Sequence, residues 1–265
     1  LKNKAKQSPV SLYPIGALTR QSAGVDLAEL YDMQQAGAVA FGDYQKSISN
    51  SNLLKLALQY AQNFDGLVFS FPQENNIAGH GQVNEGENST LLGLKGIPAL
   101  AEELQIARDL FILEYTGGKL HIPTISTAKA VELIREAKEK GLDVTCSVAI
   151  HNLVFTDDAL KDFDTNAKLL PPLRTRADVK ALHAGIKDGT VDMLTTDHTP
   201  MDVEHKKVEF DNAFFGTIGL ESAFGALLQV SSLKSAIRML TSGKSRFNLP
   251  EAVIDEGMPL SLIHI

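Results

Sequence analysis

Short apolar runs alternate with helical patterns along most of the chain. The predicted strands, which are rich in β-branched residues, cover residues 10–15, 38–41, 67–71, 119–125, 143–150 and 191–196. The predicted helices cover residues 27–35, 51–62, 98–115, 128–140 and 177–187. Parallel neighbours need crossover connections, so this alternation predicts a parallel sheet with helices packed against it. The spacing of the repeats fits either a (β/α) barrel or a doubly wound sheet.

The helix predicted over residues 98–115 is amphipathic. Its apolar positions recur at helical spacing and are Leu100, Leu104, Ala107 and Phe111. Two glycines at 117–118 end the pattern. Pro98, which is well suited to a first helical turn, begins it.

The composition is that of an ordinary globular protein. The length of 265 residues fits one large domain or two smaller ones. Of these residues, 44% are hydrophobic, which is enough for a substantial core. A formal net charge of −7 and the lack of a basic stripe argue against nucleic-acid binding. The single Cys146 excludes a disulfide framework and a cysteine-rich zinc site. No apolar run reaches the roughly 18–20 residues of a membrane helix, so we expect a cytoplasmic protein without a membrane partner.

Several polar residues stand where predicted strands end, which is where active sites collect in parallel α/β folds. They are Asp43, Thr124, Ser126, His151, Asp197 and His198. The sharpest signal is the segment 195–200, T-T-D-H-T-P, because a carboxylate at a strand end can bind a metal ion or move a proton. Each position also has a structural reading, since Asp43 and Asp197 can cap turns and His151 can be a half-buried packing residue.

Eight segments match, in order, the motifs of one enzyme family. They are residues 13–19, 37–43, 84–87, 93–99, 120–127, 169–175, 196–200 and 215–221. At 196–200, T-D-H-T-P resembles the T-D-H-A-P motif that ends the last barrel strand of dihydroorotases, which are amidohydrolase-superfamily enzymes. At 37–43, G-A-V-A-F-G-D resembles the family's G-A-V-A-F-[ST]-D. The chain is therefore identified as a member of the dihydroorotase family.

The resemblance implies an α/β fold, a (β/α)8 TIM barrel of the amidohydrolase type. Because the first motif matches the family's third strand, we expect barrel strands three to eight within residues 1–250. Residues 251–265 read as β and are expected to begin the family's small β domain. The chain does not start with methionine, and we expect it to be the later three quarters of a barrel from a polypeptide of roughly 400 residues.

The resemblance also implies a zinc centre, from which this chain departs. The family's ligands are a His-x-His pair, an Asp or carboxylated Lys on strand four, a His on each of strands five and six, and an Asp on strand eight. By position, Asp43 and Asp197 are the predicted metal ligands here. Phe71 and Thr124 stand where the two single histidines are expected, and neither is a good zinc ligand. Strand alternation predicts that His121 points away from the barrel mouth.

The substrate contacts implied by the resemblance are incomplete as well. His151 and Arg174 are retained and are the predicted substrate-binding residues. Leu170 and Met201 replace the Asn and the His that the family places at the mouth of the barrel. Zinc is thus expected as a cofactor only by family resemblance, and the absence of any cofactor from this chain is the alternative.

These departures leave two main functions open. The first is a dihydroorotase-like protein of pyrimidine biosynthesis that is impaired or inactive and acts as a structural partner of aspartate carbamoyltransferase. The alternative is an active zinc-dependent amidohydrolase that interconverts L-dihydroorotate and N-carbamoyl-L-aspartate, with Asp197 as general base and acid. A different cyclic amide is a third substrate class, prompted by Leu170 and Met201. We also expect a homo-oligomer.

Overall fold

The computed structural model describes residues 2–5, 7–8 and 10–250, and its centre is a curled parallel sheet that forms a half-barrel. The strands are β1 (Ile15–Gly16), β2 (Ala40–Phe41), β3 (Leu67–Phe69), β4 (Val83–Asn84), β5 (Gly96–Ile97), β6 (Lys119–Ile122), β7 (Val144–Ala149) and β8 (Met193–Thr195). The main sheet has the order β1-β2-β3-β6-β7-β8, and all its pairings are parallel. A separate parallel pair, β4 and β5, lies in the connection between β3 and β6.

Helices connect the strands and cover the outer face of the sheet. They are α1 (Lys2–Ala5), α2 (Leu30–Gln35), α3 (Ser51–Ala61), α4 (Asn75–Ala78), α5 (Glu87–Leu92), α6 (Ala99–Thr116), α7 (Ala128–Glu139), α8 (Ile150–Val154), α9 (Arg176–Asp188), α10 (Val203–Lys206), α11 (Ala223–Val230), α12 (Leu233–Thr241) and α13 (Gly243–Arg246). Among the described residues, none of these helices is long and apolar enough to cross a membrane.

The long crossover helices begin at side-chain caps that the sequence supplies. Asn50 accepts hydrogen bonds from the backbone N–H groups of Asn52 and Leu53 at the start of α3. Thr127 caps α7 in the same way, and Thr175 forms a capping box at the start of α9. Such caps satisfy backbone donors that have no partner within the helix. The apolar faces of these helices then pack on the sheet to form the main core.

The predicted order of the main-sheet strands and of the helices between them is confirmed, but the β4–β5 pair was not predicted and the strand at the start of the chain was placed wrongly. The strand expected over 10–15 is reduced to β1, and Val10 and Leu12 are exposed. The proline at position 14 has no N–H to donate to a neighbouring strand, which limits pairing on its amino-terminal side. Residues 251–265, which were expected to begin a β domain, lie outside the described residues.

Helix α6 carries apolar side chains on both of its faces. Its inner face packs between α3 and α7 and buries both aliphatic and polar side chains, namely Ala101, Glu102, Gln105, Ile106, Asp109, Leu110 and Leu113. The stripe that the sequence picked out lies on the opposite, outer face, where Leu100, Leu104 and Phe111 are exposed. The regularly spaced apolar residues therefore lie on the surface of the protein. On the buried face, polar residues interrupt the apolar pattern.

A buried polar network explains why the inner face of α6 contains a carboxylate. Glu102 accepts hydrogen bonds from the backbone N–H groups of Ser126 and Thr127, at 2.6 and 3.1 Å, and from the Ser126 hydroxyl. Arg174 lies 3.6 Å away and is as deeply buried. Its guanidinium also donates to Asn84 Oδ1 and the Ile97 carbonyl at 2.9 and 2.8 Å. The pair thus connects α6, the start of α7, the β4–β5 ribbon and the loop before α9.

Substitution of Glu102 by Gln should destabilise the fold strongly. The change removes the carboxylate nearest to the buried Arg174 guanidinium, and removal of one member of a buried pair typically costs about 3–5 kcal/mol. We expect a loss of this size in the free energy of unfolding measured by urea denaturation. Glu103→Gln, the adjacent and more exposed position on α6, is the matched control and should change stability by less than about 0.5 kcal/mol. Equal effects of the two changes would contradict this role for Glu102.

Candidate functional site

The carboxyl ends of the barrel strands open onto a cavity of about 350 Å3. Its walls are mainly apolar and are formed by Ile15, Phe69, Phe71, Pro123, Met193, Leu194 and Phe247. The polar side chains that line it are Asp43, Tyr44, Gln45, His121, Thr124, Ser147, Thr195 and Asp197. The parallel topology brings these residues together from positions more than 150 residues apart in sequence, as expected for strand ends in this class of fold.

Asp43, a predicted metal ligand, is occupied by contacts within the protein. It follows β2 directly and is buried. Its Oδ1 accepts hydrogen bonds from the backbone N–H groups of Leu18 and Thr19, both at 3.0 Å, and its Oδ2 accepts one from the Thr19 hydroxyl. Both carboxylate oxygens therefore hold the loop after β1, which matches the turn-capping reading of this residue.

Asp197 is the carboxylate that faces the cavity most openly. Burial raises its pKa to about 6, although a hydrogen bond from Tyr44 opposes the shift. The Tyr44 hydroxyl lies 3.5 Å from Asp197 Oδ1 and 2.9 Å from the Thr199 hydroxyl. Asp197 also adopts a φ of +43°, a left-handed conformation that costs a non-glycine residue about 1–3 kcal/mol. A carboxylate with a pKa near neutrality can exchange a proton near neutral pH, and the catalytic role of Asp197 stays a prediction.

Phe71 and Thr124 line the same cavity, and both are almost fully buried. The Thr124 hydroxyl has no hydrogen-bond partner among the described residues. Thr124 also has a φ of +51°, which is unusual for a β-branched residue. The backbone therefore turns this side chain into the cavity at a cost in strain, while the side chain itself offers only a neutral hydroxyl.

His121 lies in the cavity wall, so the expectation that it points away from the mouth is wrong. Alternation along β6 places it inside the barrel, and Thr124 joins it there because Pro123 and the left-handed turn at Thr124 end the strand pattern. The two ring nitrogens of His121 contact the Thr145 and Ser147 hydroxyls at 2.9 and 3.2 Å. Burial, with help from nearby positive charges, lowers its pKa to about 3. His121 is thus a neutral packing residue at neutral pH.

His151, a predicted substrate contact, lies beside the cavity rather than among the residues that line it. Its Nε2 atom is buried and has no partner in the part of the chain that the structure describes. Burial lowers its pKa. It packs against Gly219, where a Cβ atom would come within 2.8 Å of the imidazole and 2.4 Å of the Thr196 carbonyl. Glycine is therefore required here for close approach of the 215–221 segment.

The side chain of His198 holds the segments 196–200 and 215–221 against each other. Its Nδ1 accepts hydrogen bonds from the backbone N–H groups of Gly219 and Leu220, at 3.2 and 3.3 Å. Thr199 N–H donates to the Thr217 carbonyl at 2.9 Å. The histidine of the T-D-H-T-P segment thus fixes one loop against another, and leaves Asp197 as the member that faces the cavity.

Arg174, the second predicted substrate contact, is buried outside the residues that line the cavity. Its guanidinium donates to Asn84, the Ile97 carbonyl and Ser126, and it pairs with Glu102. Contact with a substrate stays a prediction for Arg174, since its geometry in this structure is that of a scaffold residue.

The donors do not fit the zinc centre that the resemblance implies. Across the described part of the chain, no group of three His, Cys, Asp or Glu side chains converges as a metal site requires. Asp43 is engaged by backbone amides, Phe71 has no donor atom, and the Thr124 hydroxyl is neutral. Asp197 has fewer contacts within the protein than Asp43, and metal binding by these two residues stays a prediction.

Sequence reasoning missed three polar residues of the cavity. Tyr44 and Gln45 follow Asp43 after β2, and Ser147 lies within β7. The position of Tyr44 directly after a strand end was a usable signal. Ser147 gave none, because an interior serine within an apolar run reads as part of a buried strand.

Comparison with known proteins connects this geometry to one enzyme family. A family model described as dihydro-orotase-like matches residues 2–130. The chain is 44% identical over 255 residues to the dihydroorotase of Pelotomaculum thermopropionicum, covering 94% of this chain and 60% of that protein. It is 48% identical over 222 residues to the dihydroorotase of Acetivibrio thermocellus, covering 83% of this chain and 52% of that protein. The chain thus spans half to three fifths of the length of these relatives.

Solved structures show the same fold at lower identity. The L-hydantoinase (dihydropyrimidinase) of Arthrobacter aurescens superposes with a TM-score of 0.77 at 22% identity, covering 93% of this chain and 59% of that one. The dihydroorotase of Saccharomyces cerevisiae superposes with a TM-score of 0.67 at 15% identity, covering 90% of this chain and 74% of that one. These matches confirm the α/β fold and the partial barrel.

Replacement of His121 by Gln should make the fold less sensitive to acid. The folded protein holds His121 neutral down to pH of about 3, whereas the unfolded chain binds a proton below about 6.5. The contribution of His121 to the free energy of unfolding is therefore fully present above about pH 6.5 and decreases as the pH falls from there towards 3. Between pH 7 and pH 5, His121→Gln should reduce the loss in unfolding free energy by about 2 kcal/mol. Urea titrations at both pH values test this, and parallel losses in the two proteins would contradict it.

Proposed function

Because the chain belongs to the dihydroorotase family of the amidohydrolase superfamily, we propose that it has a dihydroorotase-like role in pyrimidine biosynthesis with an impaired or absent catalytic activity. The observation that carries the proposal is the side-by-side presence of Phe71 and Thr124 in the wall of the cavity. These are the positions where the family resemblance places two metal-binding histidines. Without them the cavity keeps the shape of an active site but lacks the donors that would hold and activate a zinc-bound nucleophile.

The surroundings of Asp43 support the same proposal. Asp43 Oδ1 already accepts hydrogen bonds from the backbone N–H groups of Leu18 and Thr19, and Oδ2 accepts one from the Thr19 hydroxyl, so only one lone pair of Oδ2 is left for an ion. Removing Asp43 from those donors would leave two buried backbone N–H groups without partners, at a cost of about 1–3 kcal/mol each. The scaffold role of Asp43 thus competes with metal binding.

The remaining cavity is suited to binding a small ring compound. Apolar walls with a few polar groups are typical of small-molecule sites. The Thr124 hydroxyl can donate or accept one hydrogen bond, and Asp197 can donate one when protonated or accept when ionised. In the proposed role, these residues bind and orient a cyclic amide, and no described group activates a water for its hydrolysis.

A second candidate function, an active cyclic amidohydrolase, is favoured by one observation. The pKa of Asp197 is raised to about 6 by burial, close to the value that a general acid and base needs near neutral pH. In this case Asp197 would carry a proton between the attacking water and the amide nitrogen. Replacement of Asp197 by Asn, with unchanged ligand affinity and complete loss of turnover, would support this candidate over the first.

The proposal also includes a structural partnership with aspartate carbamoyltransferase, which rests on the family resemblance alone. Co-elution of the two purified full-length proteins on size exclusion tests it directly. The cytoplasmic location expected from the sequence likewise stays a prediction.

The full-length protein should contain little zinc and turn over slowly. We expect much less than one zinc per chain by elemental analysis. Dihydroorotate hydrolysis should be at least about 100-fold below that of a dihydroorotase with both histidines, because loss of residues that merely support metal ligands already costs about 10–100-fold. Stoichiometric zinc together with robust turnover would contradict the proposal. Robust turnover at low zinc would contradict it as well, because the proposed role includes an impaired or absent activity.

Restoring the two histidines should restore metal binding. The double variant Phe71→His/Thr124→His places imidazoles on a backbone that already turns position 124 into the cavity, and we expect at least about a tenfold gain in zinc retention. The matched control is Phe69→His/Thr124→His, which adds the same number of histidines to the same cavity but moves one of them two residues along the strand. Equal zinc retention by the two variants would show that position 71 is not a ligand position.

A further inference from the structure

Two polar groups in the wall of the cavity keep hydrogen-bonding capacity for a ligand. The Thr124 hydroxyl is buried, lines the cavity and has no hydrogen-bond partner among the described residues. The carboxylate of Asp197 also lines the cavity, and within the described part of the chain only the Tyr44 hydroxyl reaches it, at a long 3.5 Å. A hydroxyl donor and a carboxylate acceptor match the carbonyl and the N–H of a cyclic amide. The cavity can therefore bind one amide group through these two side chains.

Other polar groups of the cavity are occupied by contacts within the protein. The Ser147 hydroxyl lies 3.2 Å from His121 Nε2 and accepts a hydrogen bond from the Thr124 backbone N–H at 3.3 Å. The second ring nitrogen of His121 contacts the Thr145 hydroxyl. Asp43 is bound by the loop after β1. A further polar substituent on the ligand would therefore lose its hydration on binding and find few partners.

Aromatic and aliphatic side chains form the rest of the wall. The ring of Phe69 lies 4.5 Å from the imidazole of His121 and 5.9 Å from the ring of Phe247, measured between centroids. All three rings line the cavity, together with Met193 and Leu194 from β8. Burial of an apolar ligand group against such a wall is favourable in proportion to the area removed from water. The wall is therefore suited to an apolar substituent on the ring of the amide.

The formal charge of this wall is negative. Among the described residues that line it, Asp43 and Asp197 are acidic, and none is a lysine or an arginine. Two largely buried arginines of the half-barrel bind elsewhere. Arg174 belongs to the network around α6, and Arg246 donates to the Leu120 carbonyl near the amino-terminal end of β6. A carboxylate on the ligand would be placed beside like charges, which strongly disfavours binding.

We propose that the cavity selects an uncharged cyclic amide whose ring carries an apolar substituent, and that it discriminates against the carboxylate of L-dihydroorotate. This inference rests on the proposed function, in which the cavity binds a cyclic amide without hydrolysing it. Thr124 and Asp197 bind the amide group, and the wall of Phe69, Phe247 and Leu194 contacts the substituent. A cavity of about 350 Å3 is within the range of small-molecule sites.

Three ligands that share one ring test the selectivity. They are L-dihydroorotate, 5,6-dihydrouracil, which has a hydrogen in place of the carboxylate, and 6-methyl-5,6-dihydrouracil, which has a methyl group there. Isothermal titration calorimetry on the full-length protein should give dissociation constants that decrease in this order, with at least about a tenfold difference between the first and the last. Equal or tighter binding of L-dihydroorotate would overturn the inference, and so would the absence of binding by all three at millimolar concentration.

Zinc content and turnover, measured on the same samples, test the proposed function separately. Robust turnover of dihydroorotate with the predicted order of affinities would contradict the proposed function alone. Tight binding of L-dihydroorotate without turnover would contradict only the inference about selectivity.

Removal of one carboxylate tests the contribution of charge. Asp197→Asn keeps the size of the side chain, and it should reduce the ratio of the dissociation constants of L-dihydroorotate and 6-methyl-5,6-dihydrouracil by at least about threefold. The matched control is Asp202→Asn, which changes an exposed carboxylate outside the cavity and should leave the ratio unchanged. Circular dichroism checks that both variants fold. An unchanged ratio in Asp197→Asn would show that charge does not determine the selectivity.

An added positive charge should reverse the preference. Leu194→Arg places a guanidinium in the apolar wall, and it should tighten the binding of L-dihydroorotate at least about tenfold while weakening that of the methyl compound. Leu233→Arg, at an exposed position outside the cavity, is the matched control and should leave both affinities unchanged. If Leu194→Arg folds and still prefers the methyl compound, the assignment of the apolar wall to the substituent is wrong.

Discussion

The buried contact between Glu102 and Arg174 is the interaction on which the mouth of this half-barrel depends. One carboxylate holds two backbone amides at the start of α7, and one guanidinium holds the β4–β5 ribbon and the loop before α9. Two charges in a dry interior are tolerable only when each satisfies the other and every remaining donor finds a partner. That requirement fixes the relative positions of segments that are distant in sequence.

This network gives a physical reason for the uneven match to the family. The residues around Glu102 and Arg174 belong to the segments 93–99, 120–127 and 169–175, all of which resemble family motifs. Those motifs hold the barrel together whether or not a metal is bound. Phe71 and Thr124 make none of the contacts of the network, so the network does not determine which side chains stand at these two positions. A strong family match and a weak metal site are therefore compatible.

The order of the elements was predictable from the sequence because local signals define it. Caps such as Asn50 and Thr127 and the apolar runs between them set where helices begin and where strands lie. The orientation of side chains was less predictable, since it depends on neighbours. His121 was assigned to the wrong side because Pro123 and the left-handed Thr124 end the alternation. Asp43 stays a predicted ligand, but the amides of the loop after β1 that bind its Oδ1 atom could not be foreseen from the sequence.

Helix α6 carries apolar side chains on two opposite faces. Its inner face holds Glu102 and thereby the mouth of the half-barrel, and its outer face exposes Leu100, Leu104 and Phe111. None of these four residues lines the cavity. The contacts that hold α6 in place therefore do not depend on which side chains stand at positions 71 and 124.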